Sequence, residues 1–247
     1  MSAAPGSVHP AQRSPTGTPG SCADLAQTGP PPTLIAVTTN HEPGTHANSD
    51  GHDLLIRPEV SDDHQSVRNL HLAAFADQES VAALVDVLRV AEAPLAPMSF
   101  VAMIGDQVVG HVLLSAGRLD APRRIVDVLV LAPMGVLPGF QNRGIGTRLI
   151  EHALAMADGQ GVPLLFLEGS PDYYGKRGFG RADEVGFRSP SLRIPAGAFQ
   201  VARLSAYEPW MTGTLVYSEP FWALDCVGLR DPKPATAGSS RPGRPTS

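Results

Sequence analysis

Hydrophobic and polar positions follow two different periods between about residues 54 and 167. Short, mostly apolar runs predict five β-strands, at 54–57, 100–104, 108–114, 125–136 and 164–167. Apolar residues spaced three and four positions apart predict three helices, at about 61–75, 81–88 and 145–157. Because strands and helices interleave along the chain, we expect an α/β or α+β domain with a mixed sheet.

The longest predicted strand contains a proline. Pro133 lies inside the run 125–136 and has no N–H to donate to a neighbouring strand. A strand usually accommodates a proline by inserting one extra residue that does not pair with the neighbouring strand. We therefore expect a β-bulge at Ala132-Pro133-Met134.

The two ends of the chain differ in composition from its middle. Residues 1–52 contain eight prolines, four charged residues and no Phe, Tyr or Trp. Such a segment cannot bury enough apolar surface to offset the entropy of ordering it. We predict a disordered leader at 1–52, one domain at 53–230 and a second disordered tail at 231–247. Three of the leader's histidines, His41, His46 and His52, lie close together but have no cysteine nearby, and we predict no metal site there.

Charge and composition exclude several classes of protein. The 19 Lys and Arg against 24 Asp and Glu give a net charge of −5, which disfavours a nucleic-acid-coating protein. No apolar run approaches the length of about 20 residues that a membrane helix needs, and the N-terminus has no secretory h-region. Two cysteines, Cys22 and Cys226, are too few for a disulfide scaffold. We expect a cytoplasmic protein that binds neither membrane nor nucleic acid.

The turn before the third predicted helix has the features of an anion site. Gly144 and Gly146 lack a Cβ, so that a ligand can approach the backbone closely. The first N–H groups of a helix have no partner within it, and they lie at the positive end of its dipole. Arg143 adds a formal positive charge. The pattern predicts a phosphate site, with a plain glycine turn as the alternative.

Two common phosphate-binding motifs do not match this chain. The dinucleotide fingerprint requires a third glycine where Leu149 stands. The nearest candidate for a P-loop, from Gly169 to Lys176, has one spacer residue too many. A nucleotide-binding enzyme is therefore disfavoured.

Two segments resemble one known family. QNRGIG at 141–146 is similar to [QR]-x-x-G-x-[GA], the acetyl-CoA signature of the GNAT-superfamily N-acetyltransferases. YGKRGF at 174–179 resembles the second motif of that superfamily, Y-x-x-x-G-F. The two segments stand in the family's order, with one predicted helix and one predicted strand between them. The resemblance covers about residues 54–190 and is greatest to the YhbS-like predicted acetyltransferases.

The resemblance implies a GNAT-like α/β (α+β) fold: a mixed, mostly antiparallel twisted sheet, with two splayed parallel strands at its centre and helices on its flanks. The pantetheine arm of acetyl-CoA enters the gap between the splayed strands, and the diphosphate lies on the glycine turn. Carried over position by position, the residues that bind acetyl-CoA are Met134, Gly135, Val136, Gln141, Asn142, Arg143, Gly144, Ile145, Gly146 and Thr147. No metal is implied.

The implied reaction is direct transfer of the acetyl group to a primary amine. Tyr174 matches the family's tyrosine that protonates the leaving thiolate, and a backbone N–H near Val136 is expected to stabilise the oxyanion. We assign the neighbouring Tyr173 to packing.

The base that deprotonates the amine cannot be carried over from the family. Val130 stands where some relatives have a glutamate. We predict Glu168 instead, since it follows a buried strand at the edge where ligands collect. Asp127 and His111 remain alternatives.

The acceptor stays open at this point. We expect a small-molecule or peptide amine, and a homodimer is the default assembly. Trp210, Phe221 and Trp222 either line an acceptor pocket or belong to the core. A sensor that binds acetyl-CoA or acyl-CoA without turnover, and an enzyme that transfers a larger acyl group, are the competing interpretations.

Overall fold

The computed structural model describes residues 54–76, 78–91 and 94–228. The predicted leader and tail, with His41, His46 and His52, lie outside the described residues. The helices are α1 (His64–Ala74), α2 (Glu79–Arg89), α3 (Ile145–Gly159), α4 (Pro171–Tyr174) and α5 (Glu219–Ala223). The strands are β1 (Leu54–Pro58), β2 (Met98–Ile104), β3 (Gln107–Asp120), β4 (Ile125–Val136), β5 (Leu164–Glu168), β6 (Gly180–Arg181), β7 (Phe187–Arg188), β8 (Phe199–Arg203) and β9 (Gly213–Tyr217).

One twisted sheet contains all of these strands. Its order is β1-β2-β3-β4-β5-β8-β6, and β9 pairs with the far part of β3 and with β7. β4 pairs with β5 in parallel, as β7 does with β9, and the remaining pairs are antiparallel. The mixed, mostly antiparallel sheet predicted from the sequence is therefore confirmed.

Two boundaries differ from the sequence prediction by three residues or more. α1 begins at His64 rather than at about residue 61, because the preceding residues form a 3-10 turn. The Asp63 carboxylate holds this turn by accepting the Val60 N–H at 2.9 Å. β3 extends six residues beyond the predicted end at Leu114, because its second half gains pairing partners in β4 and β9.

The bulge expected at Pro133 is present in β4. Met134 pairs with Val112 and Leu131 with Leu114, so that one extra residue of β4 lies between the two pairs. On the other edge of β4, the parallel register joins Val130 with Phe166, after which β4 and β5 run on without further registered pairs between them. The bulge and the end of this pairing open a gap between the carboxyl-terminal parts of β4 and β5.

The helices cover the two faces of the sheet. Ile145 and Leu149 of α3 pack with Val112 on one face. Leu84 of α2 packs with Leu113 on the other. Side chains alternate between the faces of a strand, so each half of the core takes every second residue of β3. We call these the α3 face and the α1–α2 face; the gap between β4 and β5 joins them.

Candidate active site

The turn between β4 and α3 is fixed by its backbone and by one side chain. Gly144 adopts a left-handed conformation, with φ +79°, immediately before the first residue of α3. The Gln141 side-chain amide donates to the Val136 carbonyl at 3.1 Å and so ties the turn to the end of β4. The first intrahelical bond joins the Arg148 N–H to the Gly144 carbonyl, which leaves the earlier amides of the helix free for a ligand.

A cavity of about 410 Å³ lies against this turn. It is lined by Val136, Phe140, Gln141, Asn142, Gly144, Ile145, Gly146, Thr147, Tyr173 and Arg177. Seven of the ten residues predicted to bind acetyl-CoA are in this lining; Met134, Gly135 and Arg143 are not. The Arg143 guanidinium lies instead 5.2 Å from the centroid of the Phe140 ring. The cavity supplies a cluster of N–H donors at the positive end of a helix, which suits a phosphate group.

Arg177 and Tyr173 belong to this cavity, although the sequence analysis assigned neither of them to it. Arg177 donates to the Thr147 hydroxyl through Nε at 2.9 Å and Nη2 at 2.7 Å, and it also donates to the Tyr173 carbonyl. Its guanidinium lies 3.7 Å from the centroid of the Tyr173 ring. The spacing of four residues in a helical turn is a signal that could have placed both side chains on one side.

Tyr174 lies at the carboxyl end of β5. A Cβ added to Gly169 would be 2.3 Å from Cε2 of Tyr174, so only glycine leaves room for the ring there. Tyr174 packs with the apolar residues of the α3 face and makes an edge contact with Phe179. Burial, followed by the neighbouring Tyr173, raises the pKa of Tyr174 well above its ordinary value, so it keeps its proton.

Glu168 ends β5 and is directed toward the α1–α2 face. Its carboxylate accepts the Tyr217 hydroxyl at 2.8 Å and the Gly228 N–H at 3.0 Å. Burial raises the pKa of Glu168 to about 7, although both hydrogen bonds and the positive charge of Arg193 oppose the rise. A carboxyl group with this pKa can exchange a proton near neutral pH. Tyr174 and Glu168 thus approach the end of β5 from opposite faces.

The comparison with protein families decides the identity. The model of the acetyltransferase (GNAT) domain matches residues 56–182, just over half of the chain. The chain belongs to the GNAT acetyltransferase family. It is an acyltransferase that depends on acetyl-CoA.

Individual relatives agree with this assignment. The chain is 28% identical to the uncharacterized N-acetyltransferase YjhQ of Escherichia coli. The alignment of 166 residues covers 64% of this chain and 88% of the relative. It resembles the crystal structure of the Escherichia coli GNAT protein YhbS in complex with CoA, at 25% identity and a TM-score of 0.61, over 71% of this chain and 96% of that one. A GNAT acetyltransferase from Brucella melitensis in complex with acetyl-CoA is 29% identical, with a TM-score of 0.55, over 69% of this chain and 99% of that one.

The other side chains considered as bases are dispersed in this acetyltransferase. Asp127 is exposed near the amino end of β4, away from the gap, and lies opposite Arg118 of β3 in the strand register. His111 is completely buried on β3, directly opposite Gly135 of β4. Val130, at the position where some relatives have a glutamate, is buried at the last registered pair of β4 and β5.

The three aromatic residues proposed for an acceptor pocket contact the core to different degrees. Phe221 is buried and stacks on Tyr217 at 4.8 Å, and Trp222 lies 6.4 Å from the same ring. Both therefore surround the tyrosine that holds Glu168. Trp210 packs against the same hydrophobic core, and its ring lies 5.2 and 5.3 Å from the guanidinium groups of Arg123 and Arg124.

Among the described residues, no group of three or more His, Cys, Asp or Glu side chains is arranged to hold a metal ion. None of the helices in this part of the chain combines the length and the apolar character required to cross a bilayer.

Proposed function

We propose that this enzyme transfers the acetyl group of acetyl-CoA directly to a primary amine of a small molecule or peptide. The observation that carries the proposal is the arrangement around the gap between β4 and β5. An anion cradle and a tyrosine that keeps its proton lie on the α3 face, and a carboxyl group with a pKa of about 7 lies on the other. A donor and an acceptor that enter from opposite faces would meet in the gap.

The cradle would hold the diphosphate, and the end of β4 would hold the pantetheine arm. The amides at the start of α3 and the Arg177 guanidinium supply donors and positive charge within one cavity. Met134, Gly135 and Val136 would offer backbone groups to the pantetheine amides, as a neighbouring strand would. Arg143, Asn142 and Gln141 complete the turn, Gln141 by bonding Val136.

Glu168 would remove the first proton from the acceptor. An alkylammonium has no lone pair, so it must lose a proton before its nitrogen can attack the thioester carbonyl. The raised pKa of Glu168 makes it a stronger base than an ordinary carboxylate, while it still ionises near neutral pH. Tyr217 and the Gly228 amide would fix its orientation.

Tyr174 would give its proton to the sulfur as the C–S bond breaks. The sulfur leaves more readily when it is protonated as the C–S bond breaks. A free thiol has a pKa of about 8.5, so the departing group is mostly protonated at neutral pH. A backbone N–H near Val136 would stabilise the negative charge that develops on the carbonyl oxygen. These groups need no metal.

A matched pair of variants tests the cradle. A Cβ at Gly144 would have no other atom within 4 Å apart from its chain neighbours, and Asn and Asp tolerate its left-handed backbone better than most residues do. Gly144→Asn and Gly144→Asp therefore differ mainly in charge. We expect calorimetric titration with acetyl-CoA to show at least about tenfold weaker binding for the Asp variant than for the Asn variant. Equal affinities would place the diphosphate elsewhere.

A thiol-release assay over a panel of primary amines tests the reaction. Release that depends on an amine, with the acetylated amine identified by mass spectrometry, is the expected result. Binding of acetyl-CoA without release on any amine would favour the sensor over the enzyme. Faster release from a longer acyl-CoA would assign the enzyme to larger acyl groups.

A further inference from the structure

A chain of buried polar side chains connects α2 to α1 behind the end of β4. Its members are Arg89, Glu59, Ser99, His111 and His71, in that order. Arg89 donates to both oxygens of Glu59, at 3.1 and 2.8 Å, and the Ser99 hydroxyl lies 2.5 Å from Glu59 Oε2. His111 Nε2 lies 2.8 Å from Ser99 Oγ, and His71 Nε2 lies 2.7 Å from His111 Nδ1.

The carboxylate fixes the direction of every hydrogen bond in this chain. Burial opposes ionisation of Glu59, but His111, Arg89 and Ser99 outweigh it and lower its pKa to about 2. An ionised carboxylate can only accept, so Ser99 gives it the single hydroxyl proton. Ser99 must then accept the Nε2–H of His111. The bare Nδ1 of His111 in turn accepts the Nε2–H of His71, which leaves a lone pair on His71 Nδ1.

That lone pair faces β4 next to the gap. His71 Nδ1 is buried and has no hydrogen-bond partner within the described residues. It would be 3.3 Å from a Cβ at Gly135, a residue of the β4 stretch proposed to hold pantetheine. Phe75 stacks on the other side of the imidazole, with ring centroids 5.7 Å apart. Burial, followed by the charge of His111, lowers the pKa of His71 well below its ordinary value, so the ring is neutral at neutral pH.

We infer that His71 is a second proton acceptor for the attacking nitrogen, and that His111, Ser99, Glu59 and Arg89 position it and stabilise the charge it collects. The inference rests on the proposed function. An alkylammonium that becomes an amide loses two protons. The first must leave before the attack, and Glu168 takes it. The second leaves as the N–C bond forms, and the α1–α2 face offers His71 Nδ1 as its destination.

The proton count closes without another reactant. His71 Nδ1 gains the proton, its Nε2–H moves to His111 Nδ1, and His111 becomes an imidazolium. Burial lowers the pKa of His111, and Glu59, whose Oε2 lies 3.6 Å from His111 Nε2 with Ser99 bridging, opposes this effect and so partly stabilises the charge. The electron pair of the C–S bond goes to sulfur, which takes the proton of Tyr174. Of the two protons collected, one restores Tyr174 and the other passes to water.

The variant His71→Gln tests this inference. Gln can still donate an amide N–H to His111, but it has no basic nitrogen. His64→Gln is the matched control, since it makes the same change in the first turn of the same helix. Turnover is measured with the fastest alkylamine of the panel and with methoxyamine, a primary amine that is uncharged at neutral pH. The uncatalysed rate is subtracted in each case.

The two amines separate the two proposed bases. Methoxyamine needs to lose only the second proton, so a Glu168→Gln variant should keep its rate with methoxyamine and lose rate with the alkylamine. His71→Gln should reduce kcat at least about a hundredfold with both amines, at an unchanged Kd for acetyl-CoA. His64→Gln should match the unmodified protein in both measurements.

Three outcomes would overturn the relay alone: kcat within about twofold of the unmodified protein, a loss confined to the alkylamine, or a loss of acetyl-CoA affinity equal to the loss of rate. Should His71→Gln not fold, His71→Asn, which keeps an acceptor oxygen near the position of Nδ1, is held to the same criteria. If the unmodified protein acetylated no amine, the proposed function would fail, and the relay with it.

Discussion

The two faces of the sheet meet at one gap but handle charge in opposite ways. On the α3 face, the cradle is an open turn of small residues whose donors are backbone amides. On the α1–α2 face, Glu59 and His111 are almost completely shielded from solvent, with side chains that are 2% and 0% exposed. The first arrangement suits a multiply charged ligand that must enter and leave, because solvated amides need little reorganisation. The second suits proton transfer, because excluding water strengthens each hydrogen bond.

The residues of the two faces are also distributed differently along the chain. The cradle is built from a short continuous segment, 136–147, with help from one later helical turn. The polar chain takes one residue from each of five separate segments, and its members have no common spacing.

Replacing Tyr174, which lies on the α3 face, with Phe should abolish most of the enzyme's turnover. The ring would still pack against Gly169, but the proton for the thiolate would be missing. We expect turnover to fall about a hundredfold to ten-thousandfold, with acetyl-CoA affinity near that of the unmodified protein. Tyr207→Phe, which alters a tyrosine away from the gap, is the control. An unchanged rate would remove Tyr174 from the mechanism.

Replacing Glu59 with Gln should be the most destabilising change on the α1–α2 face. It would leave the Arg89 side chain, which is 12% exposed, with only the more exposed Asp86 as a counter-charge. We expect the free energy of unfolding to fall by about 3 kcal/mol, as measured by chemical denaturation. Glu79→Gln removes the exposed partner of Arg68 and should cost less than about 1 kcal/mol. Equal losses in the free energy of unfolding for the two variants would show that the buried polar chain stabilises the fold no more than an exposed ion pair does.

Replacing Gly135 with Ala should disturb the place where the two faces come together. The new methyl group would lie 2.9 Å from Leu70 Cδ2 and 3.3 Å from both Ala74 Cβ and His71 Nδ1. Because α1 must shift to relieve this overlap, we expect a loss of about 1–3 kcal/mol in the free energy of unfolding. Gly139→Ala, where a Cβ meets nothing within 4 Å, is the control in the same denaturation series. Two identical transitions would contradict the close packing of α1 on β4.

The rate difference between the unmodified protein and Glu168→Gln should depend on pH. Only ionised Glu168 can accept a proton, so with an alkylamine the ratio of their kcat/KM values should rise about tenfold between about pH 6 and about pH 8. Taking the ratio cancels the titration of the amine itself. A flat ratio would exclude Glu168 as the base.

The contribution of Glu168 to the free energy of unfolding should depend on pH in the opposite direction to its contribution to the rate. Between its ordinary pKa of 4.5 and its raised pKa of about 7, the folded chain binds more protons than the unfolded one. The free energy of unfolding of the unmodified protein, relative to Glu168→Gln, should therefore fall as pH rises through this range.

Replacing Arg177 with Gln should have the smallest effect, confined to the α3 face. Arg177 adds one positive charge to a cavity whose other donors are mostly amides. We expect acetyl-CoA affinity to fall about fivefold to tenfold, and the loss to shrink at high salt because solvent-exposed charges are screened. Lys176→Gln, at an exposed neighbouring position, should leave the affinity unchanged. A salt-independent loss would instead indicate that Arg177 acts only by holding Thr147.

Part of the site could be predicted because its signals are local. The glycines at 144 and 146 precede an amphipathic helix, and Pro133 interrupts a strand; each pattern acts through the backbone of its own segment. The interpretation of Tyr173 as a packing residue was incomplete, since Tyr173 is buried but also lines the cavity. Its environment depends on Thr147 and Arg177, and Thr147 lies on a different helix. The roles assigned to Tyr174 and Glu168 stay predictions until the variants are measured.

The sequence by itself determined the order of strands and helices, the bulge at Pro133 and the amide-rich turn before α3, because periodicity, a missing N–H and a missing Cβ act within a few residues. Only the tertiary structure decided that His71, His111, Ser99, Glu59 and Arg89 form one chain with a fixed hydrogen-bond direction. Burial and long-range pairing create that chain, since a carboxylate 12 residues from one histidine and 52 from the other acts on both only after β2, β3 and α1 have packed.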